Sequence, residues 1–90
     1  MVIIDTPRKW NLAKNGSHAT WCHMSSNDLH ELHKFAELCN IPFCRFENKR
    51  KKKRPHYDVR GESEFQRCIE NGAKLVTCKE FLIYLNSWYS

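Results

Sequence analysis

Apolar residues along this chain alternate between short β-branched runs and longer stretches with helical spacing. Val2-Ile3-Ile4 closes on Asp5 and is stopped by Thr6-Pro7, the pattern of a brief buried strand with an acidic carboxy end. Residues 8–20 mix Asn, Gly, Ser and Lys with little periodicity and read as loop, and Trp21-Cys22-His23-Met24 reads as a short extended piece. Ser25-Ser26-Asn27-Asp28 supplies side chains that accept from the free amides of a helix start. Leu29, Leu32, Phe35, Ala36 and Cys39 then recur at spacings of three and four residues before Asn40, which predicts a helix over 28–39. Pro42 to Phe46 reads as a second strand.

His56 to Val59 is expected to be extended, with Gly61 breaking the chain after it. Over 62–71, Phe65, Cys68 and Ile69 share one helical face that Gly72 closes. Leu75-Val76-Thr77 reads as a third strand. Thr77 and Glu80 have the spacing of a capping box, so a last helix should follow to about Asn86, carrying Phe81, Leu82 and Leu85 and ending in the aromatic patch of Trp88 and Tyr89. Strands alternating with helices predict an α/β fold, a small three-layer Rossmann-like domain with a short, mainly parallel sheet and right-handed crossovers. Ligands of such sheets bind beyond the carboxy ends of the strands, an edge to which Asp5, the loop after Phe46 and Thr77 all map.

Ninety residues allow a single domain over 1–90. A chain of this size buries only roughly 60–65% of its unfolded surface, so assembly into a homo-oligomer is expected. Hydrophobic residues at 41% against 28% charged give a globular balance. The net charge is +5, and Lys49 to Arg54 supply six of the fifteen Lys and Arg, so the positive field is concentrated in a basic loop at 48–55. The five cysteines are scattered, with no C-x-x-C pair and no apolar leader before them, which points to free thiols in a reducing cytoplasm; Cys22-His23 with Cys39 or Cys44 is the one zinc set left open. No apolar stretch approaches the roughly 20 residues that cross a bilayer, so no membrane association is expected.

The basic run, Lys49, Arg50, Lys51, Lys52, Lys53 and Arg54, leads directly into Pro55-His56-Tyr57-Asp58. A block of cations beside an imidazole, a phenol and a carboxylate points to an anionic ligand, and to phosphate in particular, bound in a salt-dependent way. On an extended segment His56 and Asp58 share one face and Tyr57 takes the other. His30 and His33 are neighbours on the first helix, and His23 follows Cys22. With Asp5 and Glu31, these residues offer enough imidazoles and carboxylates for a divalent ion that activates water. Trp10, Trp21, Tyr57, Trp88 and Tyr89 are available to stack on bases.

Trp21-Cys22-His23-Met24, Glu31-Leu32-His33 with Ala36, His56-Tyr57-Asp58-Val59 and Asn71-Gly72-Ala73 occur in an order that resembles a family of similarly short proteins of bacteria and their phages, one without a settled function. The resemblance spans about Val2 to Glu80 and implies a site at Asp5, His23, Glu31, His33, His56, Tyr57 and Asp58. Two features depart from it: Ser25-Ser26-Asn27 stands where the family often has an Asp, and Glu64-Phe65 where it often has a basic pair.

The reading that follows is a small cytoplasmic, phage-encoded or bacterial protein that captures nucleic acid or a signalling nucleotide. Lys49 to Arg54, His56, Tyr57, Asp58, His23 and His33 would form its binding site, without a cofactor, and countering a host defence would be a natural role. The rival reading is a metal-dependent phosphodiesterase or nuclease in which Asp5, Glu31 and Asp58 hold Mg²⁺ or Mn²⁺ and His56 serves as general acid or base. A third is an interaction module that blocks a host protein.

Overall fold

The computed structural model describes residues 1–12, 17–48 and 54–89. Its strands are β1 (Val2–Asp5), β2 (Arg8–Leu12), β3 (Ser17–Ser26), β4 (Phe46–Glu47), β5 (His56–Arg60) and β6 (Lys74–Val76), and its helices are α1 (Leu29–Leu38), α2 (Gly61–Glu70) and α3 (Cys78–Tyr89). The strands form one sheet in the order β4-β5-β3-β1-β6, with β2 also paired to β3.

The α/β class holds, but the sheet is not the mainly parallel, Rossmann-like one that the element order predicts. Only β1 and β6 run parallel among the described strands; β3 is antiparallel to β1, β2 and β5, and β4 to β5. The difference lies in residues 8–20, read as loop, which form β2 and the first part of β3. Their ladder, from Arg8↔Trp21 to Leu12↔Ser17, is built from backbone groups that every residue carries, so it leaves no apolar period in the sequence. A helical crossover after β1 is thereby replaced by a hairpin. The strand expected over Pro42–Phe46 is also corrected. Pro42 leads into a single 3-10 turn, Phe43–Arg45, with Arg45 N–H donating to the Pro42 carbonyl, and only Phe46–Glu47 pairs with β5.

The three helices are where periodicity and caps place them. The Asp28 carboxylate accepts from the amides of His30 and Glu31 at the start of α1, and Asn40 takes a positive φ of 57° just past its end. Thr77 Oγ1 accepts from Glu80 N–H while the Glu80 carboxylate accepts from Thr77 N–H, the reciprocal box at the start of α3. Strand alternation then divides the core in two. Val2, Ile4, Cys22, Met24, Tyr57 and Val59 pack with Leu32, Ala36 and Cys68 of α1 and α2, whereas Ile3 and Val76 pack with Phe81 and Leu85 of α3 on the other face. Helices therefore cover both faces, α3 lying over β1 and β6 and reaching β3 through Phe81 and Tyr89. No described helix is long and apolar enough to cross a membrane.

Along β3 the register slips where β1 gives way to β2: Ile4 faces Met24 and Arg8 faces Trp21, so four steps on one strand oppose three on the other. Thr6-Pro7 occupies this bulge, since proline has no amide hydrogen to give a ladder. The slip leaves the His23 amide to a side chain, with consequences for the site.

Candidate metal centre

On the α3 face of the sheet, beside the part that helix covers, β3 sets His23 directly across from Asp58 of β5, with His56 two residues earlier on the same side. One ligand atom from each of His23, His56 and Asp58 lies within 4.8 Å of the other two, and all three side chains are half-buried. The two imidazole centroids are 5.2 Å apart, edge to face.

Each imidazole is fixed through Nδ1. That of His56 is 2.9 Å from the Arg54 carbonyl, which can only accept, so Nδ1 carries a proton and, in the neutral ring, the lone pair is on Nε2. This Nε2 stands 3.5 Å from Glu47 Oε2 and 3.6 Å from Asp58 Oδ1. The His23 Nδ1 is 3.0 Å from Asp5 Oδ2, and the carboxylate of Asp5 makes that nitrogen the donor as well. Asp5 is only 4% exposed and needs partners for its charge; its other oxygen accepts the His23 backbone N–H at 2.6 Å, the amide freed by the register slip. A carboxylate behind one imidazole and a carbonyl behind the other, both on Nδ1, form the outer arrangement that orients histidine ligands.

Neighbouring groups hold the frame. The Trp21 ring stands edge-on to His23 at 4.7 Å and Phe81 of α3 lies 6.0 Å away on another side. Ser25 Oγ donates to the Pro55 carbonyl at 2.6 Å, tying the entry of β5 to β3.

The structure separates residues that the sequence groups. His23, His56 and Asp58 come together, and Asp5 joins them as the group that orients His23. Tyr57 faces the opposite side, 1% exposed, where its hydroxyl meets His33 Nδ1 at 2.7 Å among Phe43 and Phe46; burial raises its pKa. Tyr57 and His33 are thus remote from the imidazole pair across the sheet. Glu31 is bound by Ser26 Oγ and the Met1 amino group, which hold its carboxyl below the usual range, so the set Asp5, Glu31 and Asp58 does not converge on one ion. Lys49 to Lys53 lie outside the described residues; Arg54 reaches Asn86 Oδ1 of α3 at 2.9 Å.

The zinc set built on Cys22-His23 fails on the pleat, because Cys22 points into the α1–α2 core, where burial pushes its thiol up to about 12. All five thiols are free, Cys22, Cys39 and Cys68 being buried and Cys44 exposed. The site is also on the sheet face rather than beyond the carboxy ends of the strands. Tyr57 pairs with Met24 and Met24 with Ile4, so Arg54 and Pro55 enter at the edge where β1 begins. Glu47 was missed from sequence because β4 is too short to show a period; its one signal is the stretch of strand-forming residues that follows the basic run and needs a partner.

No curated protein and no solved structure matches the chain. A family model described as a protein of unknown function matches residues 2–87, nearly the whole of the sequence that builds this sheet and its imidazole pair. The chain belongs to that family, DUF4031.

Proposed function

We propose that this protein is a metal-dependent phosphoesterase in which His23, His56 and Asp58 hold one divalent transition-metal ion. What supports this reading is the pair of imidazoles whose Nδ1 atoms are both engaged, with one ligand atom of His23, His56 and Asp58 within 4.8 Å of the others and His56 Nε2 beside Asp58. Two imidazoles and a carboxylate suit Mn²⁺ or Zn²⁺ better than Mg²⁺, which prefers oxygen ligands and its own water. Three protein ligands leave coordination positions for water and a substrate oxygen.

The ion would lower the pKa of bound water toward about 7. Such an ion would supply an activated water for attack on phosphorus; Glu47, whose side chain is 45% exposed and already near His56, would accept that water's proton, and the leaving oxygen, departing on the opposite side of phosphorus as its P–O bond breaks, would take a proton from solvent. The six cations that precede His56 in sequence favour a phosphate-bearing substrate by their field.

Titration calorimetry with Mn²⁺ and Zn²⁺, paired with hydrolysis of labelled DNA, RNA and cyclic dinucleotides, tests this. Binding and turnover that both vanish in His56→Ala and Asp58→Asn support it. Salt-sensitive binding of the same compounds with a bound metal and no turnover would instead favour reversible capture, and absence of metal binding overturns the centre itself.

A further inference from the structure

We infer that the substrate is single-stranded nucleic acid, laid along the sheet face beside α3 from Arg54 past the His23–His56–Asp58 cluster to Trp21. This deepens the phosphoesterase reading and rests on it for the chemistry, though not for the affinity. Trp21 is half-buried and lies two residues from His23 on the same side of β3, with its ring against the imidazole. Its direct cross-strand partners are Arg60 of β5 on one side and Arg8 of β2 on the other, and both arginines are exposed. An indole whose strand neighbours on both sides are arginines, that of Arg8 hydrogen-bonded to Cys78 at the start of α3, is a platform for a base with positive charge on either flank.

At the other end Arg54 is held against α3 through Asn86. His56 lies level with Ser25, four residues from Trp21 along β3, so at a rise of about 3.3 Å per residue the track between the cation at one end and the indole at the other runs about 13 Å or more. Cation, metal ligands and indole thus follow one another along the face, with two arginines level with the indole on the neighbouring strands, which fits a flexible polyanion with free bases better than a lone phosphate monoester. A duplex keeps its bases stacked inside and cannot offer one to Trp21 while bringing a phosphate down to a cluster flanked by α3. Phosphate contacts and stacking carry little sequence information, so binding through them should depend little on sequence.

Fluorescence anisotropy of a labelled oligothymidylate, measured in EDTA, isolates this inference from metal chemistry. Trp21→Leu and Arg60→Ala should each weaken binding about tenfold, within the range for one stacked base, and Trp21→Phe should restore most of it. The blunt duplex of the same length should bind at least about tenfold more weakly than the single strand. Mn²⁺ affinity of Arg60→Ala should match the parent. Equal affinity for single strand and duplex, or full binding by Trp21→Leu with circular dichroism unchanged, overturns the inference even if the metal centre hydrolyses small phosphodiesters. Conversely, oligonucleotide binding that needs Trp21 in a protein that takes up no metal sustains it while the phosphoesterase reading falls.

Discussion

Asp5 serves two purposes with one carboxylate. It satisfies an amide that the β1–β2 register slip leaves without a ladder partner, and it fixes the proton on His23 Nδ1. Asp5→Asn keeps the shape but weakens the imidazole's orientation and basicity, so Mn²⁺ affinity should drop about 10- to 100-fold while the ligand residues are intact, which calorimetry would read directly. Tyr57→Phe should do the reverse: it removes the hydroxyl that meets His33, costs about 1 kcal/mol of stability in urea unfolding, and leaves metal affinity unchanged. The shared face of His56 and Asp58 was legible from the period of two, and so was the opposite face of Tyr57. What could not be read was distance across strands. Asp5 and His23 are brought together by a hairpin whose residues carry no periodic signal, and Glu31, which the spacing made equally available, is taken by Ser26 instead.

At the scale of elements, the helices were legible because their caps and apolar stripes are local, while the hairpin and the 3-10 turn were not. Glu64 illustrates how such pieces are tied together. It accepts from both guanidinium nitrogens of Arg45, at the end of the turn, and from the Arg60 amide that precedes α2. Burial alone would raise its carboxyl; the Arg45 and Arg60 hydrogen bonds outweigh that and hold it below the ordinary value. A carboxyl depressed in the folded state contributes stability above its unfolded pKa of about 4.3, and the contribution is lost as pH falls through the lower folded value. With side chains only 20% and 15% exposed, the pair is sheltered enough that Glu64→Gln should cost about 2 kcal/mol at neutral pH. The difference between parent and variant should close on the acid side, in thermal melts taken from pH 6 down to about pH 3.

For the molecule as a whole, the sequence announced its charge but not where that charge meets the fold. Six of the fifteen Lys and Arg fall in Lys49 to Arg54, and the described end of that segment joins the sheet beside the imidazoles. Replacing all six with Gln should flatten the dependence of oligonucleotide affinity on salt, by up to about 0.7 of a logarithmic unit per lost phosphate contact, with Mn²⁺ uptake unaffected. The pleat adds a further consequence. Tyr57 and Val59 face the α1–α2 core while His56 and Asp58 face outward from the same few residues, so neighbouring codons answer to different selective pressures. Drift on the outward row can retune reactivity without eroding foldability, which makes this short strand a natural place for new chemistry to be tried.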